Sequence, residues 1–191
     1  MVVSDGIEPI QVDREVDPHV WHDTSNAMVM VERIRDALMA ADSAHGVYYK
    51  ENAENYLAAL AKLDHWIIDT LKDIPDTKRQ LVTSHDTFGY FAKRYGFKIV
   101  GSAIESATTE AADPSAAQIA RLVEKIRSAG VKTIFAEHTH NPKMLESIAA
   151  EAGARVAPAL YTDALGPAGS DGDTYIKMME HNTKILADSL R

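Results

Sequence analysis

Residues 80–101 read QLVTSHDTFGYFAKRYGFKIVG, and the order of the parts in this stretch decides the fold. Gln80-Leu81-Val82-Thr83 has the apolar, β-branched character of a strand, His85 to Tyr95 reads as a helix, Gly96 stops it, and Phe97 to Gly101 reads as a second strand. A helix between two such strands makes a βαβ unit, whose strands are parallel and whose crossover is right-handed. Working outward toward the C-terminus, the alternation continues. Pro114 sits at a first helical position behind Asp113 as cap, and that helix runs to Ala129 before Gly130. Val131 to Ala136 is a third strand, Asn141-Pro142 opens a helix that ends at Gly153, and Arg155 to Ala157 is a short fourth strand. A glycine-rich loop from Tyr161 to Gly172 leads into a final helix from Asp173 to Leu190. The expected fold class is therefore α/β, with a parallel four-stranded sheet flanked by helices. Ligands of such sheets gather at the carboxyl ends of the strands, which singles out His85, Glu137 and the 161–166 loop.

Toward the N-terminus the pattern is helical. Thr24 or Ser25 is a good N-cap for a helix whose apolar positions are Ala27, Val31, Ile34 and Leu38, broken between Asp42 and Gly46. A long helix follows from Val47 to Leu71, with Tyr56, Leu60, Leu63, Ile67 and Leu71 on one stripe and Pro75 ending it. At 1.5 Å per residue it is on the order of 40 Å long, the length of a strut between lobes. Residues 4–23 are polar, interrupted by proline and irregular.

A net charge of −8 argues against a nucleic-acid or anionic-membrane surface. With no cysteine there is neither a disulfide nor a thiolate metal site. No apolar run reaches the roughly 18 residues that would span a bilayer. Met1-Val2-Val3-Ser4-Asp5-Gly6 lacks the basic and apolar regions of a signal peptide. Phosphate loops, dinucleotide fingerprints, nucleophile elbows and His-Glu-x-x-His are all missing from the sequence.

A lone histidine is usually a surface residue, and of the eight in this chain two stand out as candidate metal ligands. His19 lies in Asp17-Pro18-His19-Val20-Trp21, where proline fixes the backbone before the imidazole and a bulky indole anchors it after. His85 lies in Thr83-Ser84-His85-Asp86 at a strand-to-helix junction, with Asp86 in the first helical turn as a dipole-favoured carboxylate or simple cap. Asp163 follows the fourth strand in Leu160-Tyr161-Thr162-Asp163. Two imidazoles and a carboxylate suit zinc or manganese, although the spacing alone does not bring the three together. Glu137-His138-Thr139-His140 reads either as a solvated loop or as a chelating pair, His138 with His140.

With these residues in hand, the chain resembles the solute-binding proteins of zinc and manganese ABC importers. The resemblance rests on DPHVW (17–21), TSHDTFGYF (83–91), DPS (113–115), IFAE (134–137), LYTDAL (160–165) and GDTYIKMM (172–179), in this order along nearly the whole chain. It implies two lobes joined by one long helix, with metal held in the cleft between them. Residues 1–45 would be a remnant of the N-terminal lobe, 46–75 the linking helix and 76–191 the C-terminal α/β lobe. It implies His19, His85 and Asp163 as metal ligands, Glu137 as a residue bracing a ligand from behind, and a fourth ligand from the missing N-terminal lobe. His22, where leucine is commoner in the family, is expected at the surface. The implied function is capture of a divalent metal ion, Zn2+ by the lean of its nitrogen donors and Mn2+ next, for delivery to the membrane permease of an ABC importer. The implied place is periplasmic or extracellular and membrane-anchored, with the signal peptide upstream of this chain. Two other readings of the same residues are a metal-dependent hydrolase with Glu137 as general base, and an adhesin-like interaction protein.

Overall fold

In the computed structural model, which describes residues 2–12, 15–105 and 114–191, the irregular start contains a small antiparallel pair, β1 (Gln11–Val12) and β2 (Glu15–Val16). A 3-10 turn at Val20–His22 follows the Asp17-Pro18-His19 segment. Helix α1 (Thr24–Ala41) is capped by Asp23, whose carboxylate accepts from the Ser25 amide, one residue ahead of the expected cap. It pairs with the long α2 (Gly46–Leu71). Of the stripe on α2, Leu60, Leu63, Ile67 and Leu71 are buried, whereas Tyr56 is exposed. The far end of α1 is likewise exposed at Ile34 and Leu38. Apolar spacing correctly placed both helices, but only their halves nearest the sheet are covered.

The remaining elements alternate: β3 (Gln80–His85), α3 (Gly89–Tyr95), β4 (Lys98–Ile104), α4 (Ala116–Ala129), β5 (Thr133–Glu137), α5 (Pro142–Ala152), β6 (Arg155–Leu160) and α6 (Tyr175–Leu190). Every pairing among these strands is parallel, β3 with β4 and β5 with β6. The two pairs lie side by side through β3 and β5 without a shared ladder among the described residues, so the expected single sheet is built as two hydrogen-bonded pairs. At the carboxyl end of that seam a side chain does what a ladder would. The Glu137 carboxylate accepts from the Ser84 amide (2.8 Å) and the His85 amide (3.0 Å), satisfying two buried donors.

Burial explains why β3 and β5 are central. Alternate residues of each feed opposite layers: Leu81 and Phe135 pack with Leu60, Ile67, Phe91 and Leu186 on one face. Val82, Ile134 and Ala136 pack with Leu122, Ile126 and Ile148 on the other. Helices therefore cover both faces. Gly96 closes α3 with φ 72°, a conformation other residues adopt only at a cost.

Several boundaries differ from the sequence reading. β3 runs on through His85, which is the last residue of a strand rather than the first of a helix. Asp86 lies in the bend between β3 and α3, so it does not sit in a first helical turn. Ser115, in a reciprocal capping box with Gln118, starts α4; Pro114 precedes the helix, and Asp113 lies outside the described residues. The fourth strand extends to Leu160, three residues past its apolar core, which carries the chain directly to the Tyr161-Thr162-Asp163 loop. No described helix is long and apolar enough to cross a membrane.

Candidate metal centre

Three distant segments are held together at the carboxyl end of the strands. The Trp21 indole N–H donates to the Thr162 carbonyl (3.1 Å), and the Tyr175 hydroxyl donates to the Trp21 carbonyl (2.7 Å). The 3-10 turn is thereby pinned to both the 160–163 loop and α6. The expected anchoring role of Trp21 thus has a concrete partner. From α3, Tyr90 offers its hydroxyl oxygen to the Ile10 amide (3.0 Å), tying down the residues before the turn.

This clamping places His19 Nε2 3.2 Å from Asp163 Oδ1, and His85 Nε2 3.4 Å from Asp163 Oδ2. The two imidazole Nε2 atoms are 3.3 Å apart. All three donor atoms lie within 4.8 Å of one another, close enough to share one cation. His19 and His85 are buried, and Asp163 is 20% exposed, so a cation would have a short path from solvent past the carboxylate.

Each imidazole is braced from behind by a buried carboxylate. His85 Nδ1 lies 2.7 Å from Glu137 Oε2, and the Thr162 hydroxyl donates to the same oxygen (3.1 Å). His19 Nδ1 lies 2.7 Å from Asp17 Oδ1, which also accepts from the His19 amide (2.9 Å). Holding His19 Nδ1–H in this way leaves its Nε2 lone pair free for a cation, and the Glu137 carboxylate places its charge beside His85 Nδ1 to the same effect. Asp17 was not singled out in the sequence; its signal was the two-residue spacing to His19, which lets one carboxylate reach both the amide and the ring. Gly89 gives Asp17 its room, since a Cβ there would stand 2.6 Å from Asp17 Oδ2.

The charges are mutually adjusted. Burial pushes the His85 imidazole down, but Asp163 and Glu137 more than reverse this and raise it to about 9. Burial also lowers His19, and its contacts with Asp163 and Asp17 carry it above the usual value. Burial would raise Asp163, yet the two imidazoles hold it well below the ordinary carboxylate range. Without a metal, protons on the imidazoles therefore balance the carboxylates.

Other sequence candidates separate here. His22 is fully buried, not at the surface. It stacks on Phe88 with ring centroids 4.7 Å apart, and its Nε2 is 3.3 Å from the Thr87 hydroxyl. Burial, with His19 adding to it, pushes its imidazole down to about 3, so it serves as a neutral ring in the core. The 138–140 pair is split. His138 stacks on Tyr161 at 4.2 Å, while the His140 ring lies 5.0 Å from that of His85, with its Nδ1 3.7 Å from Glu137 Oε2. His85, Glu137 and His140 form a second group of donors within 4.8 Å, and His138 belongs to neither group. Asp86 is raised by burial against a hydrogen bond from Ser102, and is absent from both donor groups.

A family model described as zinc-uptake complex component A, periplasmic (ZnuA), matches residues 1–189. The chain belongs to the ZnuA family. Among curated members, the manganese-binding lipoprotein MntA of Halalkalibacterium halodurans is 36% identical over 182 residues, covering 95% of this chain and 60% of MntA. A manganese ABC transporter substrate-binding lipoprotein, PsaA of Streptococcus pneumoniae, is 32% identical, covering 98% of this chain and 62% of PsaA. Among solved structures, the Mn-bound periplasmic metal binding protein of candidatus liberibacter asiaticus superposes with a TM-score of 0.90. It is 28% identical, with 100% of this chain and 71% of that one covered. The Cd-bound form of a periplasmic metal binding protein from the same organism gives 0.89 at 29% identity. This ZnuA-family chain thus spans about 60% of the length of the curated relatives it matches.

In a ZnuA-family chain the carboxylates behind the imidazoles can be tested separately from the donors. Asp17→Asn keeps the size of the side chain and removes its charge. The expected result is metal affinity about 10–100-fold weaker, with little change in fold, read by competition calorimetry. Unchanged affinity would show that the His19 ring is oriented without Asp17.

Proposed function

We propose that this chain captures a divalent transition metal as cargo between His19, His85 and Asp163, and that the protein passes it to the membrane permease of an ABC importer on the outer side of the cytoplasmic membrane. The observation that carries the reading is the convergence of two braced imidazoles and one carboxylate from three distant segments. The names of the relatives support it, since MntA and PsaA are manganese-binding or substrate-binding lipoproteins. Residues 1–45 serve as part of a first lobe, residues 46–75, with α2, as the link and residues 76–191 as the second lobe. A fourth donor comes from the part of the family's length that this chain does not match. Within this chain His140 is the nearest reserve donor, beside His85 and Glu137.

Manganese is the better-supported cargo. The nitrogen donors alone lean to zinc, but the relatives are named for manganese, and three liberibacter structures, one of them without a substitution, are Mn-bound. Zinc binds more tightly than manganese to almost any such donor set, so affinity in a test tube does not select the transported ion. A hydrolase would need Glu137 free as a base. Here its oxygens are engaged by two amides, a hydroxyl and His85, which favours bracing over proton transfer.

Proton release tests the proposal. A metal must displace the protons held on the imidazoles. Because His85 is raised to about 9, this competition begins well above the ordinary histidine range, not only below about 6.5. From about pH 8.5 down, affinity should fall roughly tenfold per pH unit for one proton, and more steeply once His19 also holds one. Calorimetry with Zn2+ and Mn2+ in buffers of different ionisation enthalpy should show about one proton released per metal at pH 8, rising toward two near pH 6.5. Binding without proton release even at about pH 6, where an unshifted imidazole is already mostly protonated, would sink the proposed donor set.

A further inference from the structure

The pole opposite the candidate metal centre carries a basic cavity with a different chemistry. Strands β3, β5 and β6 begin there, at Gln80, Thr133 and Arg155, whereas His85 and Glu137 end β3 and β5. At about 3.3 Å per residue the two poles are roughly 17 Å apart along β3. A cavity of about 340 Å³ opens at these strand starts, and the residues lining it include Gln80, Thr133 and four cationic ones, Lys78, Lys132, Arg155 and Arg191. That volume is at the small end of the range for small-molecule sites.

In a chain of net charge −8, four cations around one cavity stand out, and none pairs with an aspartate or glutamate among the described residues. Arg155 and Arg191 are held instead by neutral acceptors, which position charge without cancelling it, whereas Lys78 meets the main-chain end of Arg191. Arg155 Nε donates to the Thr133 hydroxyl (3.1 Å) and its Nη2 to the Ser189 carbonyl (3.1 Å). Arg191 Nη2 donates to the Thr70 carbonyl (2.8 Å), and Lys78 Nζ to the main-chain oxygen of Arg191. The Lys132 side chain makes no such bond among the described residues. The simplest alternative is that these cations only complement helix ends, because α4 and α6 finish beside the cavity. Each helix end contributes roughly half a negative charge. Even with the end of α2, reached by Arg191 at Thr70, and a full negative charge at the main-chain end of Arg191 both counted, four cations leave the cavity positive by about one and a half. One wall also has an unmet need: Gln80 Oε1 is buried without a donor.

We propose that this cavity binds a phosphate-class anion, whose charged oxygens meet Arg155 and Lys132 and whose P–OH or neighbouring hydroxyl donates to Gln80 Oε1. Guanidinium and ammonium groups together suit phosphate oxygens, and a hydrogen phosphate or hydroxyl-bearing phosphate ester offers both acceptors and a donor. Free phosphate and a phospholipid headgroup share this chemistry.

The test uses the whole chain, metal-free and ¹⁵N-labelled, with inorganic phosphate titrated at constant ionic strength against chloride. A parallel arm measures co-sedimentation with phosphatidylcholine vesicles, with and without phosphatidylglycerol. Lys132→Gln is the main variant, since this side chain makes no hydrogen bond or ion pair among the described residues; Arg155→Lys, which keeps the charge, is the second. The expected result is saturable phosphate shifts at the amides of Gln80, Lys132, Thr133 and Arg155, with affinity about fivefold or more weaker in Lys132→Gln and partly kept in Arg155→Lys. If only the phosphatidylglycerol vesicles bind, and Lys132→Gln abolishes that binding, the site stands with a lipid headgroup as its source. Shifts confined to His19 and His85, equal shifts with chloride, or phosphate and vesicle binding unchanged in Lys132→Gln would each overturn the proposal.

Discussion

Glu137→Ala is expected to lower the stability of the metal-free chain by about 3–5 kcal/mol, the range for removing one partner of a buried pair. The side chain is buried, and its two oxygens meet four groups: the Ser84 and His85 amides, the Thr162 hydroxyl and His85 Nδ1. Alanine orphans the two amides and the hydroxyl at once and removes the charge beside His85, at the seam where β3 and β5 have no ladder of their own. Each orphaned donor costs about 1–3 kcal/mol, reduced where water enters. For a chain of this size the melting midpoint should drop by roughly 10 °C, followed by circular dichroism in chelator. Glu137→Gln keeps an acceptor for the amides, so it should retain most of the stability and still weaken metal binding about tenfold or more, because the charge behind His85 is gone. An alanine variant that melts within about 1 kcal/mol of the parent would mean that the seam does not depend on this carboxylate.

His85→Ala should weaken binding of Zn2+ and Mn2+ by at least about 100-fold, since it removes one of three donors and leaves Glu137 and Asp163 facing each other across a cavity. The same variant has a signature without metal. Since His85 is raised to about 9 in the folded chain, its contribution to stability is fully present below about pH 6.5 and is lost as pH rises through about 9. The parent should therefore lose stability between neutral and alkaline pH, and His85→Ala should lose this part of the pH dependence. His138→Ala is the matched control: its ring stacks on Tyr161 and belongs to neither donor group, so affinity should hold. Equal affinity in His85→Ala and the parent would remove His85 from the site.

The amino-acid order by itself determined the alternation of strands and helices, the parallel pairing and the long α2. Each follows from local rules: apolar period, glycine and proline stops, and the length of a crossover. It also marked His19, His85 and Asp163, because a Pro-His-x-Trp turn, a histidine at a strand-to-helix junction and an aspartate after a strand are readable within a few residues. Whether these three meet was not readable, because 66 residues separate the two histidines and their meeting depends on Trp21 and Tyr175 clamping the turn onto the 160–163 loop. Tertiary structure alone decided three further points. Asp17 stands behind His19 because Gly89 leaves room for its carboxylate. His22 is buried on Phe88, although a histidine next to a tryptophan in a polar stretch gives no local sign of a core position. His140 turns toward His85 while His138 turns to Tyr161, since neighbours two apart in a loop take their directions from whatever packs against them. The basic cavity belongs with these. Its four cations are scattered from residue 78 to residue 191, and only a parallel arrangement, which puts every strand start at one pole, brings them together.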